Sequence, residues 1–121
     1  MDKLTRYRQI VEQMIREYAS HKPSNGQIET EAIIDRERDH YEVMNVGWDQ
    51  ADRVHDSVIH VDIVDGKIWI QCNNTNRPLA DEFVAAGVPK EDIVLAFHPA
   101  ELWKHTGFGV ASDSDRPRDM R

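Results

Sequence analysis

Six histidines, one cysteine and an excess of acids are the residues on which chemistry could rest in this chain of 121 amino acids. The histidines are His21, His40, His55, His60, His98 and His105. No two of them form a helical i, i+4 zinc pair, and Cys72 stands alone, so there is no cysteine pair either. His60 and Asp62 share one strand face in the stretch HVDIVDGKIWIQ (60–71), a spacing that suits either two metal ligands or a hydrogen-bonded surface pair. A closed tetrahedral site takes three or four protein ligands. Two are in view, so the solvated pair is the preferred reading, with no metal and no cofactor assigned.

Nucleophilic and acid–base chemistry find less support. A two-residue Asp65-Gly66 turn would set Cys72 across from Ile59 on an aliphatic face, where a thiol behaves as a small hydrophobe. No serine stands in a G-x-S-x-G elbow, and Gly107-Phe108-Gly109 lacks the Lys-Ser/Thr of a phosphate loop. With 22 acids in the chain, no single carboxylate pair is informative. The run Asp35, Glu37, Asp39 and Glu42 is interleaved with Arg36 and Arg38, which marks a solvated, locally balanced turn. No catalytic residue is assigned, and a non-enzyme is expected.

Tryptophan is the more telling residue type. Aromatic residues make up only 7% of the chain, yet three are Trp48, Trp69 and Trp103. Interfaces are enriched in tryptophan. Counting outward from the Asp-Gly turn puts Trp69 opposite Asp62, on a face shared with Val58, His60 and Gln71. There Asp62 is placed to accept the indole N–H. Either another element of the chain covers this face or a partner does. The residues expected at an interface are Trp48, His60, Asp62, Trp69, Gln71 and Trp103.

These side chains must be held by an ordered scaffold. Leu4, Tyr7, Val11, Met14 and Tyr18 recur at steps of three and four, which predicts an amphipathic helix over 2–20, closed by HKPSNG (21–26). Four strand-like segments follow at 27–34, 40–48, 53–64 and 67–73, separated by the polar turns 35–39 and 49–52 and by Asp65-Gly66, a strong hairpin signal. The hairpin's core face collects Ile59, Val61, Ile63, Ile68, Ile70 and Cys72. Pro78 and the apolar set Leu79, Ala80, Phe83 and Val84 predict a second helix ending near Gly87. Residues 93–97 (IVLAF) do not alternate, which predicts a strand buried on both faces. A short helical turn is expected at 100–104 and an edge strand at 107–111. The class is α+β: N-terminal helix, antiparallel four-strand meander, second helix, final buried strand.

The length suits one domain, over 1–111, with a polar tail 112–121 expected to be disordered. No apolar run reaches the roughly 20 residues of a membrane span, and no secretory leader is visible, so a cytoplasmic protein is expected. The net charge of −7 weighs against gripping DNA phosphates directly and favours protein partners.

Four blocks together carry a family likeness: MDKLTRYRQIVEQMIREYA (1–19), DRERDHYEVMNVGWD (35–49), IHVDIVDGKIWIQ (59–71) and GVPKEDIVLAFHPAELWKHTGF (87–108). The chain resembles the XisI-like family, named for the cyanobacterial fdxN-element excision controlling factor, over about residues 1–111. The resemblance implies an accessory role in site-specific excision of a DNA element during heterocyst development. It also implies action beside a second small protein, XisH, with the recombinase a separate protein, and it brings no catalytic residues. A XisH-like partner, self-association as a homodimer or higher oligomer, and contact with DNA only through partners are expected. The rival readings are a subunit of a metal-dependent nuclease using His60 and Asp62, and a direct DNA binder.

Overall fold

The computed structural model describes residues 2–21 and 27–109. The Pro23–Gly26 turn, Val110 and Ala111 of the expected edge strand, and the tail lie outside them. Helix α1 (Lys3–Ala19) is capped by Asp2, whose carboxylate accepts from Thr5 N at 2.8 Å. It turns Tyr7, Val11, Met14 and Ile15 inward. Strands β1 (Ile28–Asp35), β2 (His40–Asp49), β3 (Asp52–Val64) and β4 (Lys67–Asn73) form the expected antiparallel meander. Helix α2 (Leu79–Ala85) leads to β5 (Ile93–Leu95), which pairs with β4 in parallel. The result is a five-stranded mixed sheet in the order β1-β2-β3-β4-β5, an α+β fold.

The hairpin turn has the geometry its residues demand: Asp65 and Gly66 both have positive φ, 49° and 76°. Gly47 meets a different constraint. A Cβ there would lie 2.1 Å from the Gln27 carbonyl oxygen, so only glycine lets the start of β1 close on β2. Two bulges break the ladders. Val43 pairs with Ile59 and Met44 with Ser57, leaving Val58 extra on β3; Val61 pairs with Ile70 and His60 with Cys72, leaving Gln71 extra on β4.

The sheet is covered on both faces, unequally. On one, α1 and α2 build the main core with Tyr41, Val43, Ile59, Val61, Ile63, Ile68, Ile70, Phe83 and Ile93. On the other, a smaller cluster joins Trp69, Val94, Ala96 and Trp103. Ile93 enters the first core and Val94 the second, so β5 is buried on both faces as its unalternating sequence requires. It is shorter than 93–97: the chain turns after Leu95, and Phe97 is half exposed. The turn at 100–104 is a 3-10 helix, Ala100–His105, that seats Trp103 edge-on against Trp69 with ring centroids 5.5 Å apart. Residues 107–109 form no strand, although Gly109 N donates to the Ile93 carbonyl.

Side-chain ties fasten α1 to the sheet. Arg8 grips Asp39 with two bonds of 2.7 and 3.0 Å, and Arg36 reaches Glu12. Asp92 receives Lys3 at 2.8 Å and the Tyr7 hydroxyl at 2.5 Å. Burial pushes the Asp92 carboxyl up, but the bonds from Lys3 and Tyr7 outweigh it and leave it below the usual carboxylate range.

Two measurements test these assignments. Trp69→Ala is expected to cost about 3–5 kcal/mol in urea unfolding, the range for emptying an aromatic core position; a loss under about 1 kcal/mol, the cost of a surface change, would show that the indole is not core. Asp92 has a folded pKa below its unfolded value, so the unfolded chain binds more protons in acid. Its contribution is complete above the unfolded carboxylate value of about 3.9 and fades as pH falls through the lowered folded value. Asp92→Asn is therefore expected to lose stability at neutral pH and to show a shallower acid limb than the parent. Equal acid limbs would refute the tie.

Candidate functional site

The face of the sheet opposite the two α-helices carries a polar cluster beside the tryptophan pair. Strand alternation creates it: Tyr41, Val43, Val61 and Ile63 point into the main core, so His40, Glu42, His60 and Asp62 point the other way. Cross-strand pairing brings His40 opposite Asp62 and Glu42 opposite His60. Asp62 in turn lies across from Trp69, and Trp69 from Val94, so one row runs from the cluster into the second core. The row is anchored at the β1–β2 turn. Asp39 takes a left-handed conformation (φ 53°), and its carboxylate is bound by Arg8 and by the Tyr41 hydroxyl at 3.2 Å. Burial first, and then Asp39, raise the Tyr41 phenol well above its ordinary value, so it stays a donor.

Inside the cluster, three atoms converge. Asp62 Oδ1 lies 2.9 Å from His40 Nδ1 and 3.0 Å from His60 Nε2, and the two nitrogens are 3.2 Å apart. Behind them, Glu42 lies 3.3 Å from His40 Nε2 and 3.8 Å from His60 Nδ1. Ser57 Oγ donates to Glu42 at 3.1 Å, and Gln71 Nε2 donates to Asp62 Oδ2 at 3.2 Å. The side chains of His40, His60 and Asp62 are 36%, 22% and 15% exposed, so the cluster is set into the face yet reachable from solvent. Two imidazoles and one carboxylate are a donor set able to hold a transition-metal ion.

The residues expected at an interface separate into two groups. Trp48 is 48% exposed near the β2–β3 turn, with the Arg53 guanidinium 5.4 Å from its ring centre. His60, Asp62 and Gln71 are half buried and belong to the cluster. Trp69 and Trp103 are buried within the chain, at 0% and 2% exposure. The question of what covers Trp69 is thus answered by the Ala100–His105 segment. Asp62 does not take the Trp69 indole N–H: its oxygens face the histidines and Gln71, and Trp69 Nε1 has no hydrogen-bond partner among the described residues.

Cys72 needs a correction as well. The Gln71 bulge moves its pairing from Ile59 to His60 and leaves it half buried rather than in the aliphatic core. Burial raises its thiol above the ordinary range, which disfavours the reactive thiolate. The sequence does not join His40 to His60 and Asp62, and it groups Glu42 with the solvated turn acids, whereas Glu42 lies on β2 opposite His60. The signal was the pattern H-x-E in one strand and H-x-D in the next, which has meaning only once the register is known. Two of the three acids of 35–39 are tied to arginines: Asp35 to Arg38 and Asp39 to Arg8.

The comparisons with known proteins agree with the fold. The family model described as XisI protein matches residues 1–110. A crystal structure of a XisI-like protein from Anabaena variabilis ATCC 29413 is 45% identical, with TM-score 0.86, covering 89% of this chain and 99% of that one. The fdxN element excision controlling factor XisI from the same organism is 37% identical, with TM-score 0.80, covering 91% and 100%. No curated protein matches. A family match over residues 1–110, together with structural likeness over about nine-tenths of the chain at these identities, means that the chain belongs to the XisI family.

Proposed function

We propose that the chain is a non-catalytic accessory factor in the control of site-specific excision of a DNA element, acting in the cytoplasm alongside a XisH-type partner, as in heterocyst development. The observation that carries this reading is the 37% identity, over nearly the whole of both chains, to a protein described as an fdxN element excision controlling factor. The charge of −7 supports leaving the DNA contact to the partner, because phosphate binding draws on lysine and arginine. No helix among the described residues is long and apolar enough to cross a membrane.

The surface supports binding to protein. Ile33, Trp48, Phe97 and Leu102 are each 41–50% exposed and leave apolar groups open to contact. With Trp69 and Trp103 enclosed, Trp48 is the tryptophan left for a partner, and Arg53, whose guanidinium lies over its ring, adds a second residue type common at hot spots. Self-association, most simply as a twofold dimer, draws on the same apolar surface.

Co-expression with a XisH-type protein followed by size-exclusion chromatography with light scattering tests the partnership. Co-elution at micromolar concentration is expected, and separate elution would count against it. Trp48→Ala is expected to weaken the complex by about 2 kcal/mol, roughly thirtyfold, while leaving thermal stability near the parent value. An unchanged affinity would remove Trp48 from the interface.

A further inference from the structure

We propose that His40, His60 and Asp62 bind a divalent transition-metal ion, zinc foremost, on the open face of the sheet. The geometry of the three inward atoms carries the argument. Zinc held by imidazole nitrogen and carboxylate oxygen has bonds of about 2.0–2.2 Å, so neighbouring ligand atoms of a tetrahedral site lie about 3.3–3.5 Å apart. His40 Nδ1, His60 Nε2 and Asp62 Oδ1 form a triangle with edges of 2.9, 3.0 and 3.2 Å. Opening it by a few tenths of an ångström makes it one face of that tetrahedron, with the fourth position toward solvent.

The same three atoms also have a consistent metal-free arrangement. Asp62 Oδ1 only accepts, and the ring nitrogens His40 Nδ1 and His60 Nε2 face it at 2.9 and 3.0 Å. A bound ion takes the place of ring protons there, and Glu42 is placed to accept the His40 proton at Nε2, 3.3 Å away. The outer atoms are engaged much as they are around bound metals: Glu42 bonds to His40 Nε2 and is itself held by Ser57, and Gln71 binds the far oxygen of Asp62. Imidazole donors favour zinc and its transition-metal neighbours over magnesium and calcium, which take oxygen. All three ligands sit on the paired strands β2 and β3, so the site is preformed rather than assembled by a loop.

The test uses the full chain, stripped with chelator and titrated with zinc chloride by calorimetry near neutral pH. One ion per chain at micromolar affinity or tighter is expected. The variants His40→Ala and His60→Ala should abolish uptake, and Glu42→Gln should weaken it by about tenfold or more through loss of orientation. His55→Ala and His105→Ala should bind as the parent does. Cobalt(II) should give a visible ligand-field spectrum that is absent in His40→Ala. Failure of the parent chain to take up zinc at micromolar concentration would overturn the site, as would undiminished uptake by the His40→Ala, His60→Ala double variant. Should these variants unfold, nitrogen-15 spectra of the histidine rings in the parent chain decide. Zinc-dependent shifts confined to His40 and His60 support the assignment, and shifts only at other histidines refute it.

Discussion

An antiparallel ladder running unbroken from the Gln50–Ala51 turn would set His40 across from Val61. Asp49 pairs with Asp52 and Met44 with Ser57 in that simple register. The extra residue Val58 then shifts every later pair by one, so that Val43 meets Ile59, Glu42 meets His60 and His40 meets Asp62. Because side chains alternate with a period of two, this single residue decides whether the polar positions of β2 and β3 share a face. With it, aliphatic residues meet aliphatic residues beneath α1, and the histidines and acids meet on the far side. Val58 and Ile59 can both be buried because the bulge relaxes strict alternation between them. Both the main core and the polar cluster therefore depend on one irregularity in β3.

The two ends of the chain complete that arrangement from opposite sides. Helix α1 brings Val11 and Ile15 onto the sheet and is pinned by Arg8 to Asp39, one residue before His40. The Ala100–His105 segment closes the other face only in part, over Trp69, with the Trp103 indole N–H satisfied by the His98 carbonyl at 3.0 Å. The polar cluster occupies the portion of that face left open. It is thus bordered by a rigid aromatic wall on the β4 side and by a clamped turn at β1–β2. Its side chains are tied to one another and to Ser57 and Gln71 by hydrogen bonds, which is what a preorganised site requires.

Much of this could be read from residues alone where the cause is local. The helix over 2–20 follows from its apolar steps of three and four, the Asp65-Gly66 hairpin from turn chemistry, and the double burial of β5 from a run without polar residues. The likeness carried by the four sequence blocks corresponds to a family and fold that the comparisons share. What escaped depends on register. Counting from Asp65-Gly66 places Asp62 across from Trp69 correctly, but fails beyond Val61, where Gln71 is extra and Cys72 moves to His60. The β2–β3 pairing fails in the same way at Val58. Bulges have no strong one-residue signature in Val-Ile or Ile-Gln, so neither His40 nor Glu42 could be joined to His60 and Asp62 in advance. The covering of Trp69 was left open for another reason: a six-residue 3-10 segment is too short to show periodicity.

Charge distribution sets the cluster apart from the rest of the molecule. Several acids elsewhere are met by permanent cations: Glu12 by Arg16 and Arg36, Asp35 by Arg38, Asp39 by Arg8, Glu82 by Arg77, Asp92 by Lys3. Glu42 and Asp62 differ from these, since among the described residues their ion-pair partners are histidines alone. An arginine neutralises a carboxylate at every physiological pH, whereas an imidazole does so only with an added proton, or by sharing a bound metal with it. In a chain whose net charge is −7, the middle of the sheet's open face is thus where two half-buried carboxylates have imidazoles rather than fixed cations beside them.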